Sequence, residues 1–334
     1  MRVRTGCAGL ARALGAALVG FAAAVAPGAG AAELRGLEIR VDNDSFVTPR
    51  VDDERWYTSG LFLRAAFDAP AAAADARLAA AWCGRVIGCD AGSQRLRVAS
   101  MQSRIYTPGL TGTPAPQPFD RPYAAALALG AALVVAGDRT RQSFELQLGT
   151  VGPAALGEPL QNSLHALLGQ PRARGWDGQV RPQALAQVGW SRLSAHRFGP
   201  GGADAVLRSG VLLGTPQTQI ELGAMLRWGG AGPTWPGESL GAREPAGWQV
   251  HVGVEGRAVA RDALIEGAPF GYLSQVRREP FAGSLFVGVS VGPLHDWRLE
   301  FGAGLHSVPF ESSFQAYPYR PQRIGTIGLR WQPR

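Results

Sequence analysis

The chain has no lysine: all 33 of its Lys and Arg residues are arginine. Arginine's planar fork grips phosphates through paired bonds and suits a phosphorylated surface, although genome composition gives the same bias. Charge is scarce, at 18% of 334 residues, and the formal +7 falls to +4 once Arg2, Arg4 and Arg12 are set aside, since no acid precedes Glu33. So small a balance is no nucleic-acid signature, and no nucleic-acid partner is expected. Beyond residue 31 no apolar run approaches the ~20 residues of a membrane helix, which excludes helical spanning although 46% of residues are hydrophobic. Cysteine is limited to Cys7, Cys83 and Cys89. The last two, in WCGRVIGC, have a spacing that a disulfide can close in an oxidising compartment and that is not a CxxC metal or redox motif. Phosphate-loop, HExxH and EF-hand patterns are also missing. GESLG at 237–241 matches a nucleophile elbow around Ser239, but its Pro/Gly-rich surroundings offer neither the strand before nor the helix after that the elbow needs.

What is present begins with an export signal. Three arginines precede the apolar stretch 13–25 and the small-residue tract PGAGAA, so residues 1–31 read as a cleaved signal peptide and 32–334 as a single domain. From Leu37 onward apolar and polar residues alternate. In FELQL, Phe144, Leu146 and Leu148 fall on one face and Glu145 and Gln147 on the other; in WRLEFGAGLH, Trp297, Leu299, Phe301 and Leu305 oppose Arg298, Glu300 and His306. Charges at every second position do not suit a soluble sandwich core, and the pattern predicts an all-β, transmembrane antiparallel barrel. Twelve strands are expected, near 36–44, 56–67, 94–106, 121–136, 142–150, 179–197, 204–214, 218–228, 248–261, 281–292, 297–308 and 322–331. With a periplasmic N-terminus, the connections 45–55, 107–120, 151–178, 262–280 and 309–321 face outward. The connections 68–93 and 229–247 are then periplasmic, and no site is expected in them.

Two polar groups stand at the outer end. Asp42, Asn43 and Asp44 of VDNDSF face Thr58 of WYTSG across the first outer loop. Such oxygens can form a hard-cation site, and without further support they read as a solvated Asx turn. His165 lies in GEPLQNSLHALLG, where Leu160, Leu164, Leu167 and Leu168 fit a short amphipathic helix and Gln161 stands one turn earlier on His165's face. A lone loop histidine is commonly incidental. His196, His251 and His295 map to the periplasmic end and His306 to the outer end.

Several segments stand in order along the chain: NDSF with WYTSGLFL, YTP at 106–108, DRPYA at 120–124, GPAALGEPLQNSLH at 152–165, GWDGQ at 175–179 and VEGRAVARD at 254–262. With them the chain resembles the outer-membrane lipid A 3'-O-deacylases, calcium-dependent twelve-stranded barrels. The resemblance implies catalytic positions at His165, Asn43, Asp44, Thr58 and Gln161, calcium (Ca2+) held by Asp44 and Asn43 with Asp177 the nearby carboxylate, and lipid A or lipopolysaccharide as substrate. Asn43 shares the parity of Leu37, Ile39 and Val41, so the site is expected on the lipid side of the wall, facing the outer leaflet.

The expected chemistry is ester hydrolysis with His165 as general base, calcium polarising the carbonyl, and Gln161 or Thr58 orienting or donating. Arg172, Arg174, Arg277 and Arg278 are candidate phosphate contacts, or simply a solvated rim. Two rivals remain open at this point. One is a non-catalytic barrel such as a narrow pore, surface binder or inactive relative; inward Glu145, Gln147, Glu221, Arg227, Glu255, Arg257, Arg298 and Glu300 have mixed signs that can pair and fill it. The other is a phospholipase, which lacks an evident serine nucleophile. A monomer is expected.

Overall fold

The computed structural model describes residues 33–47, 56–69, 93–198, 202–230, 232–242, 244, 246–267, 276–312 and 321–333. The proposed signal peptide and the segment with Cys83 and Cys89 lie outside these residues. Among the described residues fourteen strands form, twelve where the period-two pattern predicts them and two in addition. In chain order they are β1 (Leu34–Asn43), β2 (Trp56–Asp68), β3 (Gln94–Thr107), β4 (Ala124–Ala136), β5 (Thr140–Val151), β6 (Gln183–Phe198), β7 (Ala203–Gly214), β8 (Gln217–Trp228), β9 (Gly247–Asp262), β10 (Val276–Arg278), β11 (Phe281–Leu294), β12 (Trp297–His306), β13 (Phe310–Ser312) and β14 (Gln322–Trp331).

Twelve of them close an antiparallel barrel in which neighbours in sequence are neighbours in space and β1 seals against β14. All twelve expected wall strands are present, with ends displaced by four residues at most. The largest displacements are at 121–123 and 179–182, which leave the wall at Pro122 and Pro182; proline cannot donate to a ladder. The addition is the small ribbon of β10 and β13, whose three-residue strands are too short to show a period.

Alternation separates lipid from lumen. Leu146, Leu148, Ile220 and Leu222 are exposed, while Gln147 and Glu221 between them are buried. Trp228, Trp248 and Trp297 lie exposed near the end that carries the chain termini, as an aromatic girdle requires. Among the described residues no helix is long and apolar enough to cross a membrane, so the strands supply the span.

The lumen is filled partly by chain. The connection between β8 and β9 was expected to be a plain turn-rich loop; instead it folds back inside the wall. Trp235 packs on Phe286 with ring centroids 5.2 Å apart, and it fits against β8 because position 223 is glycine, where a Cβ would stand 2.7 Å from the indole. Wall arginines hold this plug: Arg208 pairs with Glu238 at 2.8 Å, Arg298 with Glu244 at 2.9 Å, Arg141 donates to the Leu240 carbonyl at 2.6 Å, and Arg330 to that of Ser239 at 2.9 Å. The plug lines cavities of about 280 and 190 Å³ within the barrel and one of about 1000 Å³ at the end that carries Arg35 and Asp68. At the opposite end, hereafter the loop end, the helical turn α1 (Ala263–Glu266) buries Leu264 and Ile265 in the mouth. Asp262 caps that turn by accepting from the Leu264 amide at 2.9 Å.

Candidate active site

The site begins on the wall. Strand register places Gly325, Asn43, Ser59, Ile105 and Ala125 in one row across β14, β1, β2, β3 and β4. Leu37 and Ile39, on the same parity as Asn43, are exposed to lipid. Asn43 therefore lies on the outer surface of the barrel, yet it is only 7% exposed. Covering chain explains the burial. Asn43 ends β1 and caps the turn Asp44–Phe46, its Oδ1 accepting from the Ser45 amide at 2.8 Å. That turn lies over β14, where a Cβ on Gly325 would stand 2.5 Å from Phe46. Asp44 is buried within it at 2% exposure.

One strand further, a bulge between Tyr57 and Ser59 adds Thr58 to β2. Its hydroxyl lies 2.8 Å from that of Thr107, and both residues are buried. Asp42, by contrast, has lumen parity and accepts from Tyr57 Oη at 3.2 Å and Thr326 Oγ1 at 3.0 Å. It belongs to the interior and not to this site.

The second wall of the site is helix α2 (Gly157–Leu168). It is set between Leu156 and Gly169, both left-handed, and lies over the outer face of β3 and β4 through Ile105, Ala125, Tyr123, Ala155, Ala173 and Trp176, with Leu160 packed against them. The sequence pattern makes α2 amphipathic, with Gln161 and His165 on one face. In the structure Leu167 is exposed, and Gln161 and His165 are the buried pair, at 3% and 4%. Polar side chains go inward here because the loop after the helix runs back over this face and supplies their partners. Trp176 Nε1 donates to Gln161 Oε1 at 2.9 Å; Asn162 clasps Ala173 through both amide atoms at 2.8 and 3.2 Å; His165 Nδ1 meets the Pro171 carbonyl at 2.6 Å. A carbonyl can only accept, so the proton sits on Nδ1 and the lone pair of the neutral ring on Nε2.

Strands are spaced by ~4.8 Å, so Asn43 lies about 10 Å along the row from Ile105, which the helix covers. Thr58 and Thr107 lie between the Asp44 turn and α2. The structure thus brings Asn43, Asp44, Thr58, Gln161 and His165 to one flank of the loop end. It does not bury Asp177, which is exposed beside the buried Trp176, and among the described residues no group of three His, Cys, Asp or Glu side chains gathers as a metal cluster. The candidate arginines divide: Arg172 is spent on Glu158 at 2.9 Å and Arg278 on Glu266 at 3.3 Å, while Arg174 and Arg277 are exposed. Nearby, burial raises the Asp120 carboxyl above the ordinary carboxylate value, opposed by the amides of Gly109 and Arg121 that it accepts.

Thr107, Asn162 and Trp176 were not singled out in the sequence, although each lies in or beside a quoted segment. Ser239 is buried in the plug and donates to the Trp235 carbonyl at 2.8 Å, which removes it as a nucleophile.

A sequence profile of the family described as Outer membrane protein LpxR matches residues 12–332. Among solved structures, LpxR from Salmonella typhimurium superposes with a TM-score of 0.70 at 17% identity, covering 89% of this chain and 99% of that one. The β domain of the Bordetella autotransporter BrkA (TM-score 0.44, 10% identity, 89% and 98% covered) and the translocator domain of NalP from Neisseria meningitidis (0.40, 10%, 97% and 96%) are similar only as barrels. No curated protein sequence matches the chain.

Proposed function

Because the chain belongs to the family of outer membrane protein LpxR, we propose that it is an outer-membrane ester hydrolase that removes the 3'-linked acyloxyacyl chain of lipid A. One observation carries this reading: Gln161 and His165 are buried under the chain that returns after α2, on a helix packed against the lipid-side wall and on the same flank as Asn43, Asp44 and Thr58. A lumen site would serve a diffusing solute; a wall-side site serves a molecule already in the leaflet. The apolar rim agrees, since Phe46, Leu156 and Leu167 are exposed around it. The site would face the outer leaflet, with the protein acting as a monomer.

In this reading His165 Nε2 takes a proton from water, whose oxygen attacks the ester carbonyl carbon. Pro171 holds the Nδ1 proton and steadies the imidazolium that forms. As the carbon–oxygen bond to the sugar breaks, the same proton passes to the departing alkoxide, giving a free 3'-hydroxyl and a fatty acid. Gln161 and Thr58 donate to the carbonyl oxygen as it gains charge. The buried Asp44 carboxylate and the Asn43 amide oxygen form the all-oxygen donor set that a hard cation prefers, with Asp177 as an exposed third candidate. Calcium held there would add positive charge beside the ester carbonyl.

The test is mass spectrometry of lipid A from cells expressing wild type, His165→Ala or Asp44→Ala, with and without a calcium chelator. Loss of the 3'-linked chain with wild type alone, abolished by chelation, is the expected result. Lipid A unchanged by wild type refutes the activity, and full deacylation by His165→Ala refutes the base. Loss of phospholipid acyl chains instead would assign the phospholipase reading.

A further inference from the structure

We propose that Trp176 is a positioning residue that locks the Gln161 amide with its Nε2 donor turned toward the ester carbonyl; this rests on the hydrolase reading above. An indole N–H only donates, so the 2.9 Å contact fixes Oε1 as the atom facing Trp176. Nε2 is left on the other side of the amide, buried and without a hydrogen-bond partner among the described residues. A buried donor in that condition is costly, and it persists where a ligand completes it.

The indole itself is held firmly. Its ring lies 4.9 Å from that of Tyr123, whose hydroxyl donates to the Thr111 carbonyl at 3.1 Å. Position 157 is glycine, where a Cβ would stand 2.4 Å from the indole, and at Gly175 a Cβ would stand 2.4 Å from Tyr123. The two ends of a glutamine amide are nearly equal in shape, so without the indole donor the group can turn over at little steric cost. The turned amide presents Oε1, an acceptor, to an oxygen that is gaining negative charge. Trp176 then acts on turnover only through Gln161.

The test compares purified, folded barrels of wild type, Trp176→Phe, Gln161→Ala and the double variant on lipid A in mixed micelles. Heat-modifiable gel mobility confirms folding of each. Trp176→Phe keeps the ring and loses the donor; kcat should fall about tenfold with KM within twofold, and the double variant should match Gln161→Ala. Unchanged kcat in Trp176→Phe, or a double variant a further tenfold slower than Gln161→Ala, overturns the proposal. A wild type that leaves lipid A intact defeats the hydrolase reading instead. A measurement independent of turnover then decides the orientation: the Gln161 Nε2 proton resonances should move on adding lipid A in wild type and fail to move in Trp176→Phe. Unmoved resonances in wild type, or equal movement in both, overturn it.

Discussion

Asp204→Asn should destabilise the barrel by about 3 kcal/mol, because it leaves a buried arginine charge without its counter-ion. Arg227 and Asp204 sit on paired strands with side chains 2% and 1% exposed, so solvent does not screen them. The guanidinium binds the carboxylate through two bonds, one of them Nε to Oδ1 at 2.9 Å, and its remaining N–H groups reach the Gly232 carbonyl at 2.6 Å and Thr234. Removing one member of a buried pair costs roughly 3–5 kcal/mol, and the lower figure applies because asparagine still accepts one bond. Glu→Gln changes on exposed pairs, such as Glu158 with Arg172, should cost under about 1 kcal/mol. Urea unfolding in lipid vesicles, followed by tryptophan fluorescence, reads the difference. A double variant, Asp204→Leu with Arg227→Met, should fall at least ~2 kcal/mol short of the sum of its parts. Asp204→Asn within about 0.5 kcal/mol of wild type would refute the claim that this pair is buried and mutually dependent.

Planar-bilayer recordings should show no steady ion conductance for the wild type, since the plug and α1 fill the lumen from both ends; excising 232–242 should raise conductance, and an open wild-type channel would contradict the fold. Thr107→Val keeps the shape of the side chain but strips the Thr58 hydroxyl of its 2.8 Å partner, so the proposed deacylation should slow about five- to tenfold with the barrel intact; an unchanged rate in the lipid A assay would remove this pair from the site. Gly157→Ala places a methyl 2.4 Å from the indole and 2.5 Å from Ala125, and should lift α2 from the wall. Faster protease cleavage after Arg172 or Arg174 would report it, and wild-type cleavage rates would show that the helix end yields without cost.

The wall was legible in the sequence because a lipid-facing strand repeats one rule locally: Leu146 and Leu148 outward, Gln147 inward, on every strand long enough to show it. That same rule put Asn43 on the lipid side, and the four-residue spacing of Gln161 and His165 put them on one helix face. Contacts made by returning chain left no such trace. Trp176 reaches Gln161 only after a loop has turned back, and Asn162 looks like any polar helix residue until Ala173 lies against it. The leucines marked α2 as amphipathic but not which of its faces is covered: Leu167 is exposed, while Gln161 and His165 are buried. The plug was hidden for a related reason: Pro- and Gly-rich chain reads as turns whether it sits outside a barrel or within one.

The plug also bears on how the ring stays shut. β1 and β14 meet over seven paired positions, the fewest of any two wall strands, against thirteen for β3 and β4. Both sides of that seam rest on the inner chain: a Cβ at Gly36 would stand 2.9 Å from Leu240, Arg330 reaches Ser239, and Gln332 donates to the Ala242 carbonyl at 3.3 Å. Each of the two strands is thus tied to the same inner segment, which links β1 to β14 in addition to their ladder. The segment between β8 and β9 therefore stands as a mandrel inside the ring, touching both ends of the wall where their own ladder is shortest.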